Sequence, residues 1–579
     1  MRDAIAEAAE PRGPHRPAIR NSTRTPTATR SSGYRTAAEL AVRQRDISVS
    51  EFFLKNRHLL GFDSPAKALL TTVKEAVDNA LDACEEAGIL PEIWVEVSAL
   101  GGGAYRVAVE DNGPGILEPQ LARIFGKLLY GSRFHRLSQS RGQQGMGISA
   151  VGMYAQLTTG KPLHVLSRVR REKTASELFV SVNTAKNVPD LHRKKRVAWV
   201  RTHGTRVEAE IDGHYQKGSH SVELYLTLTA IANPHVTLHL RDPQAAEVSF
   251  ERSSRKLPPR PSEIKPHPRG VELGQLIQML SSTRSHTLRQ FLEQEFSRVG
   301  RKTALAIINR ARSRLSERSY PRRIAHAQAS ALYRAIQSVP VSAPRTDCLA
   351  PIGERQLLEG LRKEVDAAFY AVVTRPPAVY RGNPFQIEVG IAYGRPGGAG
   401  LALDSAGRIR KRPRDRGEAT AELVGRADEP APLLRFANRV PLLYEQGACA
   451  ITRAVMQTNW HTYGLQQPKG ALPVAPMAIL VHVASVWVPF TSEAKEAIAA
   501  YPEIVKEIRL GLQQAGRQLA TYLHRELRLK REYERRSEIE KYLPHVGLAL
   551  QDILELSDRD RDRTVRQLDE ILYQSRKIR

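Results

Sequence analysis

Between residues 65 and 87 apolar side chains recur every three or four positions, the spacing of one helical face, with Ser64 and Pro65 placed as cap and first helical residue and Gly88 as a stop. Residues 93–97 and 105–109 alternate instead, and the Gly101-Gly102-Gly103 run between them reads as the turn joining two paired strands. Strand patterns follow at 164–169, 177–182, 197–200 and 205–211, and a second helical pattern at 148–157. A sheet with helices packed on one face accommodates that order, so an α+β domain is expected over residues 36–255.

The pattern then changes. Five prolines in the basic stretch 256–270 suggest a boundary, and beyond them helical periodicity appears at 271–280, 287–298, 302–316 and 324–339, a small helical module over 256–345. A second α/β unit begins near Asp347 and is expected to run to about 550, with strands at 386–393 and 477–488 and an exposed glycine-rich, charged loop at 394–432. From about 491 the signals are helical, ending in a charged helical segment at 551–579. Residues 1–35 carry almost no large apolar side chain, so burial cannot offset the entropy of ordering them, and a flexible basic arm is expected. A multidomain α+β chain is the fold class that results.

Charge sharpens this picture. The chain has a formal net charge of +26, which favours a polyanionic partner, nucleic acid first, although an arginine-rich proteome would give the same excess. Residues 252–330 alone hold 17 Lys or Arg against 5 Asp or Glu, a difference of +12 concentrated in the helical module. The three cysteines, Cys84, Cys348 and Cys449, are too far apart to suggest a disulfide framework or a zinc site, and a reducing cytoplasm is the simple reading. No stretch approaches the roughly 20 apolar residues of a membrane helix, so no membrane insertion is expected.

Three segments carry chemistry. In Glu75-Ala76-Val77-Asp78-Asn79-Ala80-Leu81-Asp82-Ala83, Glu75, Asn79 and Asp82 fall on one helical face; a solvated helix edge would have the same spacing. Glu110-Asp111-Asn112-Gly113-Pro114-Gly115-Ile116 follows an apolar strand. The Asp111 carboxylate can accept from an adenine amino group while Gly113 and Gly115 admit the base closely, although an ordinary strand-ending turn also uses glycine and proline. Arg141-Gly142-Gln143-Gln144-Gly145-Met146-Gly147-Ile148 leads into a helix, where backbone N–H groups can converge on phosphate oxygens; a merely flexible loop is the alternative.

Together these motifs resemble the ATPase fold shared by gyrase, Hsp90, MutL and histidine kinases (GHKL). Over roughly residues 40–550 the resemblance is closer to the B subunits of type IIB DNA topoisomerases, the topoisomerase VI family. It is carried by Asp46-Ile47-Ser48-Val49-Ser50-Glu51-Phe52, Thr72-Val73-Lys74 with the motif that follows, Leu129-Tyr130-Gly131-Ser132, Arg435-Phe436-Ala437-Asn438-Arg439-Val440-Pro441-Leu442-Leu443, and Val488-Pro489-Phe490-Thr491-Ser492-Glu493-Ala494-Lys495-Glu496. The resemblance implies a helix-two-turns-helix module after Gly270 and a second α/β domain called the transducer.

It also implies roles. Glu75 would be the general base and Asn79 the Mg²⁺ ligand, with Asp82 on the same face among the ATP-binding residues. Asp111 would read adenine with support from Thr205, Gly142, Gly145 and Gly147 would belong to the phosphate-binding lid, and Gln143, Gln144 and Met146 would stand among the nucleotide-binding residues. Lys495 would meet the γ-phosphate; a surface lysine near a helix start is the plain alternative. The implied partners are duplex DNA, a topoisomerase VI A subunit carrying the DNA-cleaving tyrosine, and a second copy of the chain recruited by ATP, in a nucleoid-associated A2B2 heterotetramer. Two alternatives stand beside this: an ATPase clamp of another DNA-maintenance or chaperone system, and a DNA-binding scaffold without turnover.

Overall fold

The computed structural model describes residues 37–41, 51, 53, 55–131, 137–142, 145–184, 186–394, 401–403, 409–411 and 423–575. The expected basic arm, most of the Asp46-to-Phe52 motif, Gln143 and Gln144, and much of the 394–432 loop lie outside them. Residues 37–41 form a short helix.

The helix Pro65–Ala87 begins where the sequence places it: the Ser64 hydroxyl accepts from the Lys67 N–H at 3.3 Å, Pro65 gives up no needed donor, and Gly88 closes the helix in the left-handed conformation at φ 75°. Its apolar face lies on an eight-stranded sheet ordered β5-β4-β3-β6-β2-β1-β7-β8. The strands are β1 (Glu92–Gly101), β2 (Ala104–Asp111), β3 (Leu163–Arg168), β4 (Ala175–Asn183), β5 (Val188–Val197), β6 (Gly204–Asp212), β7 (Thr237–Arg241) and β8 (Glu247–Phe250). The helices Glu118–Gly126, Gly147–Thr158 and Val222–Ala232 join the first on the same face, burying a core that includes Val73, Val77, Leu81, Val95, Val109, Tyr154 and Tyr225. The opposite face carries polar cross-strand pairs such as Arg106 with Glu210 and His164 with Glu208, as a half-solvated antiparallel sheet requires.

One expected strand is corrected. Residues 198–200 are a loop, and Val197 instead ends β5, an edge strand whose side chains are exposed on both faces.

The basic helical module has a separate small core: helices Leu273–Ser282, Leu288–Glu295, Arg301–Arg310 and His326–Ser338 enclose Leu276, Phe291, Ile307 and Leu332. The third stops six residues short of the expected 316, since Arg312 is left-handed at φ 45°. Beyond it a second sheet is built on Asn383–Tyr393 and Met477–Ser485, antiparallel in register, with Leu433–Ala437 parallel to the latter. The strand expected to reach 488 ends at Ser485, whose hydroxyl turns back to cap the Trp487 N–H. Helix Glu354–Glu364 packs this sheet against Val222–Ala232 of the first domain, and a 53-residue helix, Pro502–Leu554, lies across its other face before folding back into Asp558–Ser575.

Candidate nucleotide site

A cavity of about 540 Å³ opens between the Pro65–Ala87 helix, the end of β2 and the glycine loop. Glu75, Asn79 and Ala83 line it at four-residue steps, with Ala76 and Ala80 providing the small surface between them. Asp111, Gly115, Gly142, Gly145, Met146, Gly147, Thr205 and Lys495 complete the predicted residues that reach it. Among the described residues, two of the predicted ones do not line it. Gly113 stands behind Asp111, and the Asp82 carboxylate turns to the other side of the helix, where it accepts from Arg141 at 2.8 Å.

At one end of the cavity, antiparallel pairing of β2 with β6 sets Asp111 opposite Thr205. The N–H groups of Gly113 and Thr205 both donate to Asp111 Oδ1, at 2.7 and 3.2 Å, fixing the plane of the carboxyl. Burial pushes this carboxyl up to about 7, against the pull of those two N–H donors. Ser167 ties the wall together: its hydroxyl lies 3.0 Å from Thr205 Oγ1 and accepts the Ile116 N–H at 2.8 Å. Gly115, at φ 75°, has no room for a Cβ against the Arg168 carbonyl.

At the other end the helix Gly147–Thr158 starts in the cavity wall. Its cap residue, Met146, offers no side-chain hydrogen bond, so the first-turn N–H groups stay available to an anion. Glu75 points at this helix start, and a Cβ on Gly147 would overlap Glu75 Oε2.

Arg141 anchors the loop from behind. Its guanidinium is buried and donates to Asp82, to both oxygens of Glu85 and to Asn233 Oδ1 at 2.6–2.8 Å. Burial alone would raise the Glu85 carboxyl, but Arg141 and the His235 hydrogen bond at 2.8 Å hold it well below the usual carboxylate range.

The second domain closes the cavity. Lys495 sits at φ 55° in a loop pinched by an antiparallel bridge between Phe490 and Ile498, rather than at a helix start; the long helix begins only at Pro502. Its ammonium donates to the Arg141 carbonyl at 3.2 Å. On either side of it, Lys74 donates to the Ala494 carbonyl at 3.3 Å and Lys67 pairs with Glu496 at 2.6 Å. Sequence reasoning missed Ser167, Lys67, Glu493 and the Tyr130–Gln120 pair, bonded at 2.7 Å, all but the first two of which line the cavity. Only Tyr130 and Glu493 stood in segments already singled out.

Among the described residues no cluster of three or more His, Cys, Asp or Glu side chains could hold a metal. The carboxamide of Asn79 is a hard oxygen donor beside an anion-receptive helix start, which fits Mg²⁺, an ion that takes few protein ligands and completes its shell with phosphate and water.

These elements define a nucleotide-binding ATPase domain, and residues 65–212 match the family described as histidine kinase-, DNA gyrase B- and HSP90-like ATPase. Residues 344–535 match the topoisomerase VI B subunit transducer. The chain is 47% identical over 520 residues to the B subunit of type 2 DNA topoisomerase 6 from Methanococcoides burtonii, covering 90% of this chain and 79% of that one. It is 45% identical over 524 residues to the corresponding protein of Archaeoglobus fulgidus, covering 90% and 82%. The chain belongs to the family of type 2 DNA topoisomerase 6 B subunits. It is the ATP-binding, ATP-driven clamp subunit of a type II topoisomerase. Among the described residues no helix is long and apolar enough to cross a membrane.

Proposed function

We propose that this chain hydrolyses ATP with Glu75 as general base and Asn79 as the Mg²⁺ ligand, Asp111 and Thr205 receiving the adenine. The observation that carries the reading is the convergence of Glu75, Asn79, the Gly147 helix start and Lys495 on one cavity. Glu75 orients and deprotonates a water in line with the terminal phosphate, whose oxygens rest on N–H groups of the glycine loop and helix start. Lys495 adds a point charge where negative charge develops. Bound Mg²⁺ would supply further neutralisation of the phosphate oxygens.

Loss of the terminal phosphate removes the partner of a residue borne by the other domain, and so biases the angle between domains. That is how one site drives a clamp: two copies of this chain close on a duplex while two A subunits hold the broken one, an A2B2 assembly acting at the nucleoid. The exposed Arg301, Lys302, Arg310, Arg312 and Arg314 of the helical module supply phosphate contacts of the salt-dependent, sequence-independent kind.

Glu75→Ala decides the central assignment. Nucleotide affinity is expected to stay near that of the parent while turnover falls by about 10²–10⁴-fold. Turnover near the parent's would remove Glu75 from the role of base.

A further inference from the structure

Ser140 and Arg141, at the root of the glycine loop, present consecutive carbonyls to the transducer. Lys495 takes one, at 3.2 Å, and Asn438 Nδ2 takes the other, at 3.0 Å. The two contacts differ in kind. Lys495 is a long, flexible side chain on a loop tip, holding a neutral carbonyl with a full charge; a nucleotide phosphate competes well for it.

Asn438 has no such freedom. Its Nδ2 also donates to the Ser485 carbonyl, and its Oδ1 accepts the Ser485 N–H, both at 2.9 Å, so both amide protons and the amide oxygen are engaged. Its own N–H donates to Val483 at 2.9 Å, and its backbone is left-handed at φ 48°, a conformation that asparagine tolerates better than most residues. The next residue continues the tie. The Arg439 N–H donates to His482 Nε2 at 2.9 Å, which leaves the ring proton on Nδ1, and that proton is donated to Glu388 Oε2 at 2.8 Å. Glu388 accepts in turn from the N–H groups of Ile352 and Gly353, at the start of the Glu354–Glu364 helix. A loop carbonyl is thus joined to the centre of the transducer sheet through buried groups that each have a partner.

We propose that Asn438 is a positioning residue that pins the root of the glycine loop to the transducer sheet, transmitting movement of that loop while Lys495 exchanges its partner. This rests on the reading of that loop as the lid over the nucleotide phosphates. A merely architectural role would be served equally by Gln139, whose side chain bonds both the N–H and the carbonyl of Ala350, at 2.7 and 3.1 Å. That pair stays intact when Asn438 is changed.

The test uses the full chain with Asn438→Asp and Asn438→Gly. Aspartate keeps the tolerance for a left-handed backbone and the acceptor for Ser485 but loses both donated bonds; glycine keeps the backbone and loses all three. Thermal unfolding, affinity for a non-hydrolysable ATP analogue and the analogue-induced change in solution scattering are measured for each. Both variants are expected to fold, to bind the analogue within about threefold of the parent and to lose more than about half of the scattering change. A parent-like change in either folded variant overturns the proposal. So does a loss of analogue affinity beyond about tenfold, which would place Asn438 in the nucleotide site, or failure of both variants to fold, which would make the residue architectural. If the parent itself does not change shape with the analogue, the lid reading falls as well.

Discussion

Gly147 stands so close to Glu75 that any side chain at 147 would take the position of the carboxylate oxygen Oε2. The carboxylate proposed as the general base and the start of the Gly147–Thr158 helix are thus in direct contact, with no room left for a Cβ between them. Gly147→Ala should therefore displace the carboxylate without touching the Asp111 end of the cavity. A fall in kcat of about 10²-fold with little change in nucleotide affinity is expected, because misplacing a catalytic group by about 1 Å can cost that much. Parallel binding and turnover measurements check it; parent-like turnover would mean that Glu75 has room to move aside.

Lys495 reaches the cavity from another domain, and it holds the Arg141 carbonyl, a partner it would keep under the proposed mechanism when the terminal phosphate is gone. For Lys495→Ala, ADP affinity should stay within about twofold of the parent while hydrolysis falls by about tenfold or more. The analogue-induced change in scattering should weaken alongside. Equal losses for ADP and ATP would show that Lys495 does not distinguish the two.

Replacing Arg141 tests the buried network behind the loop. Arg141→Met leaves Asp82 and Glu85 without their shared guanidinium, at a cost of about 3–5 kcal/mol in unfolding free energy. Since the Glu85 carboxyl is held below its ordinary value, the stability it contributes is present above the unfolded carboxyl's pKa and lost as pH falls through the depressed folded one. Denaturant melts at pH 7 and pH 3 should differ less for the variant than for the parent. An unchanged difference would place the acid sensitivity elsewhere.

Asp111 works in the opposite sense. Its carboxyl titrates near 7 in the folded chain and near 4 when unfolded, so the folded state holds a proton that the unfolded state releases. Its contribution to stability is greatest below that window and declines as pH rises from about 4 to about 7. An amino donor on the base favours the ionised carboxylate, so ATP affinity should rise between pH 6 and pH 8. Asp111→Asn is expected to flatten both trends, and calorimetric titrations across that range would expose a variant that keeps them.

How much of this was legible follows from where the determinants lie. The Glu75 helix could be bounded from sequence because its cap, first-turn proline and terminal glycine are all local. The base pocket was half legible: Asp111 sat in a motif, but Ser167 contributes a hydroxyl from β3 that only strand pairing brings near. Strand β5 escaped because it is exposed on both faces and so shows no alternation, and helix Val222–Ala232 because it is apolar nearly all round, leaving no stripe to detect. Arg141 was read as part of a phosphate loop. Its side chain instead serves the opposite side of the helix, through partners 56 to 92 positions away.

The 53-residue helix gives these small contacts a long reach. Its first turns pack on the transducer sheet as far as Leu523, and about 31 residues continue beyond, interrupted by Pro544, a reach of up to roughly 45 Å at 1.5 Å per residue. A tilt of about ten degrees at the sheet would carry the far end through roughly 8 Å, several times the change in any hydrogen bond at the nucleotide. The same mechanical advantage runs in reverse: a modest sideways force at the far end arrives at the sheet as a large torque, so whatever grips the end of that helix has a handle on the ATP site.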